Sequence, residues 1–111
     1  MDVTTTREDG YTILRIEGAI VLGESGRELA AILDRELEEG TGHVLLELSG
    51  INYMDSTGVG ELVGHLTLFQ KAGRRLVLVN PSKRICKLLE LAGIDHIFEQ
   101  HATVEEAKAR G

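Results

Sequence analysis

The chain has 111 residues, 42% of them hydrophobic and 27% charged, with 13 glycines, one proline and one cysteine, the arithmetic of one ordinary globular domain that can bury a core without disulfides or a structural metal. Eighteen acidic against twelve basic residues, a formal net charge of -6, argue against binding a phosphate backbone, and no run of about 18 apolar residues offers a membrane span. Two Phe, two Tyr and no Trp leave no stacking platform for bases or sugars, and the acidic opening Met1-Asp2 with a lone Cys86 leads us to expect a cytoplasmic protein.

In chain order, Val3–Arg7 and Tyr11–Glu17 read as two strands of a hairpin, because alternating apolar or β-branched residues flank the turn Glu8-Asp9-Gly10. Ser25 to Glu28 has capping-box spacing, and Leu29, Ile32, Leu33 and Leu37 recur at helical intervals until Gly40, expected as a left-handed stop. Val44–Leu48 is a nearly continuous apolar run, as in a central strand buried on both faces. Leu62, Val63, Leu66 and Phe69 mark a second helix ending at Gly73, and Leu76–Val79 is another buried strand. Asn80-Pro81 is expected to open a third helix, with proline at its first position, an apolar stripe of Ile85, Leu88 and Leu89, and Gly93 as its end. A short strand at Ile97-Phe98 and a last helix, Val104 to Arg110, capped by Thr103 with Glu106, complete the order β-β-α-β-α-β-α-β-α. Strands alternating with helices need crossover connections, so the expectation is a single α/β domain over residues 1–111 with a mixed, mostly parallel sheet.

Packing accounts for most of these residues, but not for Tyr53-Met54-Asp55-Ser56-Thr57-Gly58-Val59-Gly60, between the central strand and the second helix. Asp, Ser or Thr there can serve as an N-cap. Gly58, Gly60 and Gly64 each cost roughly 0.5–1 kcal/mol relative to alanine in a helix; the spacing of the last two implies tight packing on the sheet or close approach to another backbone. A hydroxyl at a helix N-terminus is also a place where a phosphoryl group is electrostatically tolerated, so modification of Ser56 would act through an interface rather than by unfolding.

This segment, with Gly18 after the hairpin, Ala72-Gly73 before Leu76–Val79, and Leu88-Leu89 through Gly93, resembles the signature of STAS domains, specifically the bacterial anti-sigma-factor antagonists. The resemblance implies a small sheet with helices packed chiefly on one face and a partner-switching cycle. In that cycle the unphosphorylated antagonist binds an anti-sigma factor with serine kinase activity. Phosphorylation of the serine after the Asp, by position Ser56, ends the binding, and a serine phosphatase reset it. Thr57 is the competing acceptor. Partner contacts are expected at Asp55, Ser56, Thr57 and Gly58, and around Val21 and Glu24. Family members often carry an acidic residue at the position of Val21; here Glu24 supplies it from a different place, or the surface is apolar through Ile20, Val21 and Leu22. The expected protein is a monomer or weak homodimer that is no enzyme and needs no cofactor. The rival function is a non-switching STAS accessory subunit of a transporter or stress-sensing assembly.

Other constellations lapse on inspection. Ser56, Asp95 and His96 or His101 follow hydrolase chain order, but Met54 stands where a nucleophile elbow needs glycine. His43, His65, His96 and His101 lack metal-ligand spacing, and Glu61 with His65 reads as an exposed contact one turn apart. Lys83, Arg84 and Lys87 read as a solvated basic face or a contact for an acidic partner, and Cys86 as a small buried residue.

Overall fold

The hydrophobic pattern resolves into one five-stranded sheet flanked by helices in a computed structural model that describes residues 1–110. Strands β1 (Asp2–Glu8) and β2 (Tyr11–Ile20) are the hairpin. Asp9 and Gly10 both take positive φ, 52° and 80°, the two-residue turn whose twist matches that of the strands. There follow α1 (Glu24–Glu39), β3 (His43–Met54), α2 (Ser56–Lys71), β4 (Leu76–Val79), α3 (Lys83–Leu91), a 3-10 turn (Asp95–Ile97), β5 (Glu99–His101) and α4 (Val104–Ala109). Spatial order follows chain order, β1 to β5, with β1 antiparallel to β2 and the other pairs parallel.

The continuous apolar runs of β3 and β4 are explained by their alternation. Val44, Leu46, Leu48, Leu76 and Leu78, with Leu14 and Ile16 of β2, face a core completed by Leu29 and Leu33 of α1, Leu62, Leu66 and Phe69 of α2, and Ile85 and Leu89 of α3. Leu45, Val77, Val79 and Ile13 point to the other face, which α4 covers with Val104 and Ala107. Three helices on one face and one short helix on the other match the expected arrangement. Each fully buried Leu, Ile or Phe contributes about 1.5–3 kcal/mol by leaving water.

Several local readings are corrected by tertiary contacts. Gly23, with no side-chain cap, precedes α1, and Ser25 lies inside the helix with its hydroxyl accepting the Val21 N–H at 2.9 Å. Gly40 is extended, φ -89°, rather than left-handed. Its lack of a side chain is needed because a Cβ would fall 2.8 Å from the Glu36 carbonyl and 3.1 Å from the Arg74 guanidinium. That guanidinium ends α1 from outside, donating to the Glu36, Leu37 and Gly42 carbonyls at 2.9, 3.2 and 2.7 Å, the cation a helix C-terminus favours. Ser82, not Pro81, caps α3, its hydroxyl accepting from Ile85 N–H. Ile97 ends a 3-10 turn and β5 begins only at Glu99. Gly73 and Gly93, with φ 71° and 72°, are the helix stops expected, and Thr103 caps α4 as expected.

Charged pairs concentrate where the parallel strands begin. Arg7 grips the nearly buried Glu36 carboxylate with two hydrogen bonds, 2.9 and 3.1 Å. Arg75 donates to both oxygens of Glu99, to the Tyr11 hydroxyl and to the Ala107 carbonyl. His43 is pushed below its ordinary range by burial first and then by Arg75 and Arg74, consistent with its Nδ1 accepting the Arg75 N–H. The Arg75 hydrogen bonds pull Glu99 down to about 2, against the opposing effect of burial. Because that value lies below the ordinary 4.5, the stabilisation is complete above pH 4.5 and disappears as pH falls toward 2. Glu99→Gln should therefore flatten the acid limb of a stability-against-pH profile between those values; an unchanged limb in urea denaturation would show the pair contributes nothing.

Candidate functional site

The site lies at the opposite end, where β2 and β3 finish, and it is organised by one carboxylate. Asp55 is the N-cap of α2: Oδ1 accepts from the N–H groups of Thr57 at 3.0 Å and Gly58 at 3.2 Å. Its other oxygen, Oδ2, accepts from the Leu22 N–H at 2.9 Å, so the same side chain starts a helix and ties down the β2–α1 loop. The Asp55 N–H donates to the Ile20 carbonyl at 3.2 Å, closing the connection. Chiefly the Leu22 N–H, then those of Gly58 and Thr57, hold Asp55 below the usual carboxylate range against the effect of burial; it is ionised at neutral pH.

Ser56 is the first residue of α2 and is exposed. Thr57 is half-buried, with its methyl turned toward Gly26 of α1. Gly58 is buried, and a Cβ there would lie 2.5 Å from the Met54 side chain and 3.0 Å from the Ile20 carbonyl. Its contribution is to let α2 seat against the strand ends. Val21 is half-buried, its N–H and carbonyl both bonded to the start of α1. Glu24, the first residue of α1, is exposed and lines a shallow pocket with Met1, Ala19, Val21, Ser25 and Glu28. Loop and helix tip are thus adjacent, joined by the Leu22–Asp55 hydrogen bond.

Three features differ from expectation. Ile20 is fully buried and cannot form part of an apolar docking surface, whereas Leu22 stands 78% exposed. Nothing lies within 4 Å of where Cβ atoms would be on Gly60 and Gly64, so packing on the sheet does not explain them; they leave bare backbone on the exposed side of α2 behind Ser56. His65 is buried, not exposed, its Nε2 facing Asp34 of α1 at 2.7 Å and its Nδ1 the Glu61 carbonyl at 2.8 Å. Sequence reasoning also missed the Leu22 N–H as the second anchor of Asp55; a backbone group leaves no trace in residue identity. Among the described residues no cluster of His, Cys, Asp and Glu could hold a metal ion, and no helix is long and apolar enough to cross a membrane.

Comparison with known proteins places these observations. The family model described as STAS domain matches residues 2–107. The anti-sigma-B factor antagonist of Staphylococcus aureus is 27% identical over 105 residues, covering 95% of this chain and 96% of that protein. A Thermotoga maritima protein superposes with a TM-score of 0.89 at 24% identity, covering 97% of this chain and 92% of the other. The Bacillus cell fate determinant SpoIIAA, in its phosphorylated form, superposes with a TM-score of 0.76 at 21% identity and 98% coverage of both chains. A sulfate transporter family protein from Wolinella succinogenes gives 0.77 at 23% identity, over 95% of this chain and 87% of that one.

Two substitution series check this account. Gly58→Ala should cost about 1–3 kcal/mol through overpacking, whereas Gly60→Ala and Gly64→Ala should each stabilise the free chain by roughly 0.5–1 kcal/mol; thermal denaturation of the three variants would expose an inverted order. Asp55→Ala should lose about 1 kcal/mol of capping and speed hydrogen exchange at the Leu22 amide, and an unaltered exchange rate would sever the loop from the cap.

Proposed function

We propose that this chain, which belongs to the STAS domain family, is an anti-sigma-factor antagonist: unphosphorylated, it binds an anti-sigma factor with serine kinase activity, and phosphorylation of Ser56 ends that binding. A serine phosphatase reverses the modification, and the cycle runs in the cytoplasm. The name of the Staphylococcus aureus relative supports the antagonist role. The observation that carries the switch is an exposed hydroxyl beside a carboxylate whose oxygens are already committed.

Asp55 occupies the N–H groups of Thr57 and Gly58, and the Val59 N–H is bonded to the Asp55 carbonyl. A phosphoryl group on Ser56 would therefore find few helix donors to neutralise it and would add about -1.5 to -2 charge next to an ionised neighbour. In water that pair is solvated and the fold survives. Under a partner both groups must be desolvated, and a penalty of roughly 3–4 kcal/mol weakens a complex by a few hundredfold. Thr57 is the poorer acceptor because its side chain is half-buried against α1.

Ser56→Ala should bind the anti-sigma factor equally well with or without ATP, and Ser56→Glu, with a single negative charge, should bind at least about tenfold more weakly. Incubation of the wild-type chain with the kinase and ATP, followed by intact-mass measurement and phosphopeptide mapping, should place one phosphate on Ser56. Equal affinities for wild type, Ala and Glu variants would favour the accessory role instead, and a label on Thr57 would move the switch by one residue.

A further inference from the structure

We infer that the groove between the end of β3 and α3 docks an acidic segment of a partner protein that carries apolar anchor residues. The groove, about 370 Å³ in volume, is lined by Tyr53, Met54, Arg84, Lys87, Leu88 and Leu91. Its floor and walls are apolar, and two of the chain's large exposed hydrophobic side chains stand in it: Leu91 at 76% and Tyr53 at 49%. The fold does not require Leu91 there, since Ile85 and Leu89 already bury the inner side of α3.

Charge selects the occupant. Within nine residues α3 carries Lys83, Arg84 and Lys87 against Glu90 alone, in a chain whose net charge is -6. Among the described residues none of these three cations forms an ion pair, while Arg7, Arg75 and Lys108 at the other end of the sheet are all paired. Arg84 and Lys87 line the groove and are exposed, as long cationic side chains are when their stems cover apolar surface and their charged heads stay in water. A leucine-sized anchor seated between Tyr53 and Leu91 would thus bring flanking carboxylates to Arg84 and Lys87, an apolar centre with a polar rim of complementary sign. A short acidic segment meets chiefly the α3 cations within a Debye length, whereas a second whole copy of this chain or an extended anionic membrane meets its full net charge of -6 and is repelled. Tyr53 lies two residues before Asp55, so the groove adjoins the Ser56 tip, but its chemistry is independent of whether Ser56 is modified.

The probe is a short synthetic helical peptide with two leucines one turn apart among glutamates, titrated into the full chain and followed by backbone-amide NMR. Shifts should centre on Tyr53, Arg84, Lys87, Leu88 and Leu91 and weaken as salt is raised. The same peptide with lysine for glutamate should give none. The double variant Arg84→Glu, Lys87→Glu should lower affinity by about tenfold or more, and Leu91→Ser, at an exposed position, comparably; Ser56→Ala should bind the peptide as wild type does, so the two readings fail separately. The inference is overturned if the acidic peptide leaves these resonances unmoved or the lysine peptide moves them equally. It is likewise overturned if they move when the chain alone is concentrated and sediments as a dimer, or if vesicles of phosphatidylglycerol perturb them at lower concentration than the peptide does.

Discussion

A single side chain, Asp55, joins two segments that the sequence separates by more than thirty residues. One oxygen caps α2 and the other holds the Leu22 N–H, so the helix tip and the β2–α1 loop form one rigid surface. Both the position of the Ser56 hydroxyl and the electrostatics of adding charge to it follow from this arrangement. The cap makes Ser56 the exposed first residue of α2, directly after a carboxylate that its three backbone donors hold ionised.

The two ends of the sheet divide the work. Where the parallel strands begin, near Tyr11, His43 and Leu76, arginines are satisfied by carboxylates, hydroxyls and carbonyls: Arg7 on Glu36, Arg74 on the end of α1, Arg75 on Glu99. Where they end, near Ile20 and Met54, the surface carries an exposed hydroxyl, a solvent-facing leucine and bare glycine backbone. It is at the carboxyl ends of the strands that open α/β sheets generally place their binding sites, the end at which the proposed switch lies. The ion pairs thus gather at one end of the sheet, and the exposed apolar and hydroxyl groups at the other.

Glycine serves opposite purposes within α2. Gly58 is required by a contact, because a side chain there would strike Met54 and Ile20. Gly60 and Gly64 meet nothing within the chain, and their cost in helix propensity is uncompensated in the free protein. The same composition signal thus has two causes, which the neighbours in the folded chain tell apart.

The amino-acid order alone determined the alternation of strands and helices, the burial of β3 and β4 on both faces, the hairpin turn at Asp9-Gly10, the stops at Gly73 and Gly93, and the turn that presents Ser56. Each of these is set by periodicity or by backbone preference within a few neighbouring residues, which is local information. Tertiary structure decided what depends on distant groups: that Arg74 rather than a left-handed glycine ends α1, that Ser82 rather than Pro81 governs α3, that His65 is buried against Asp34, and that Ile20 turns inward while Leu22 turns out. It also decided the reach of Asp55 to the Leu22 amide and the groove between Tyr53 and Leu91. A side-chain periodicity records which face of an element is apolar, but not which backbone donor, cation or neighbouring element will come to meet it across the fold.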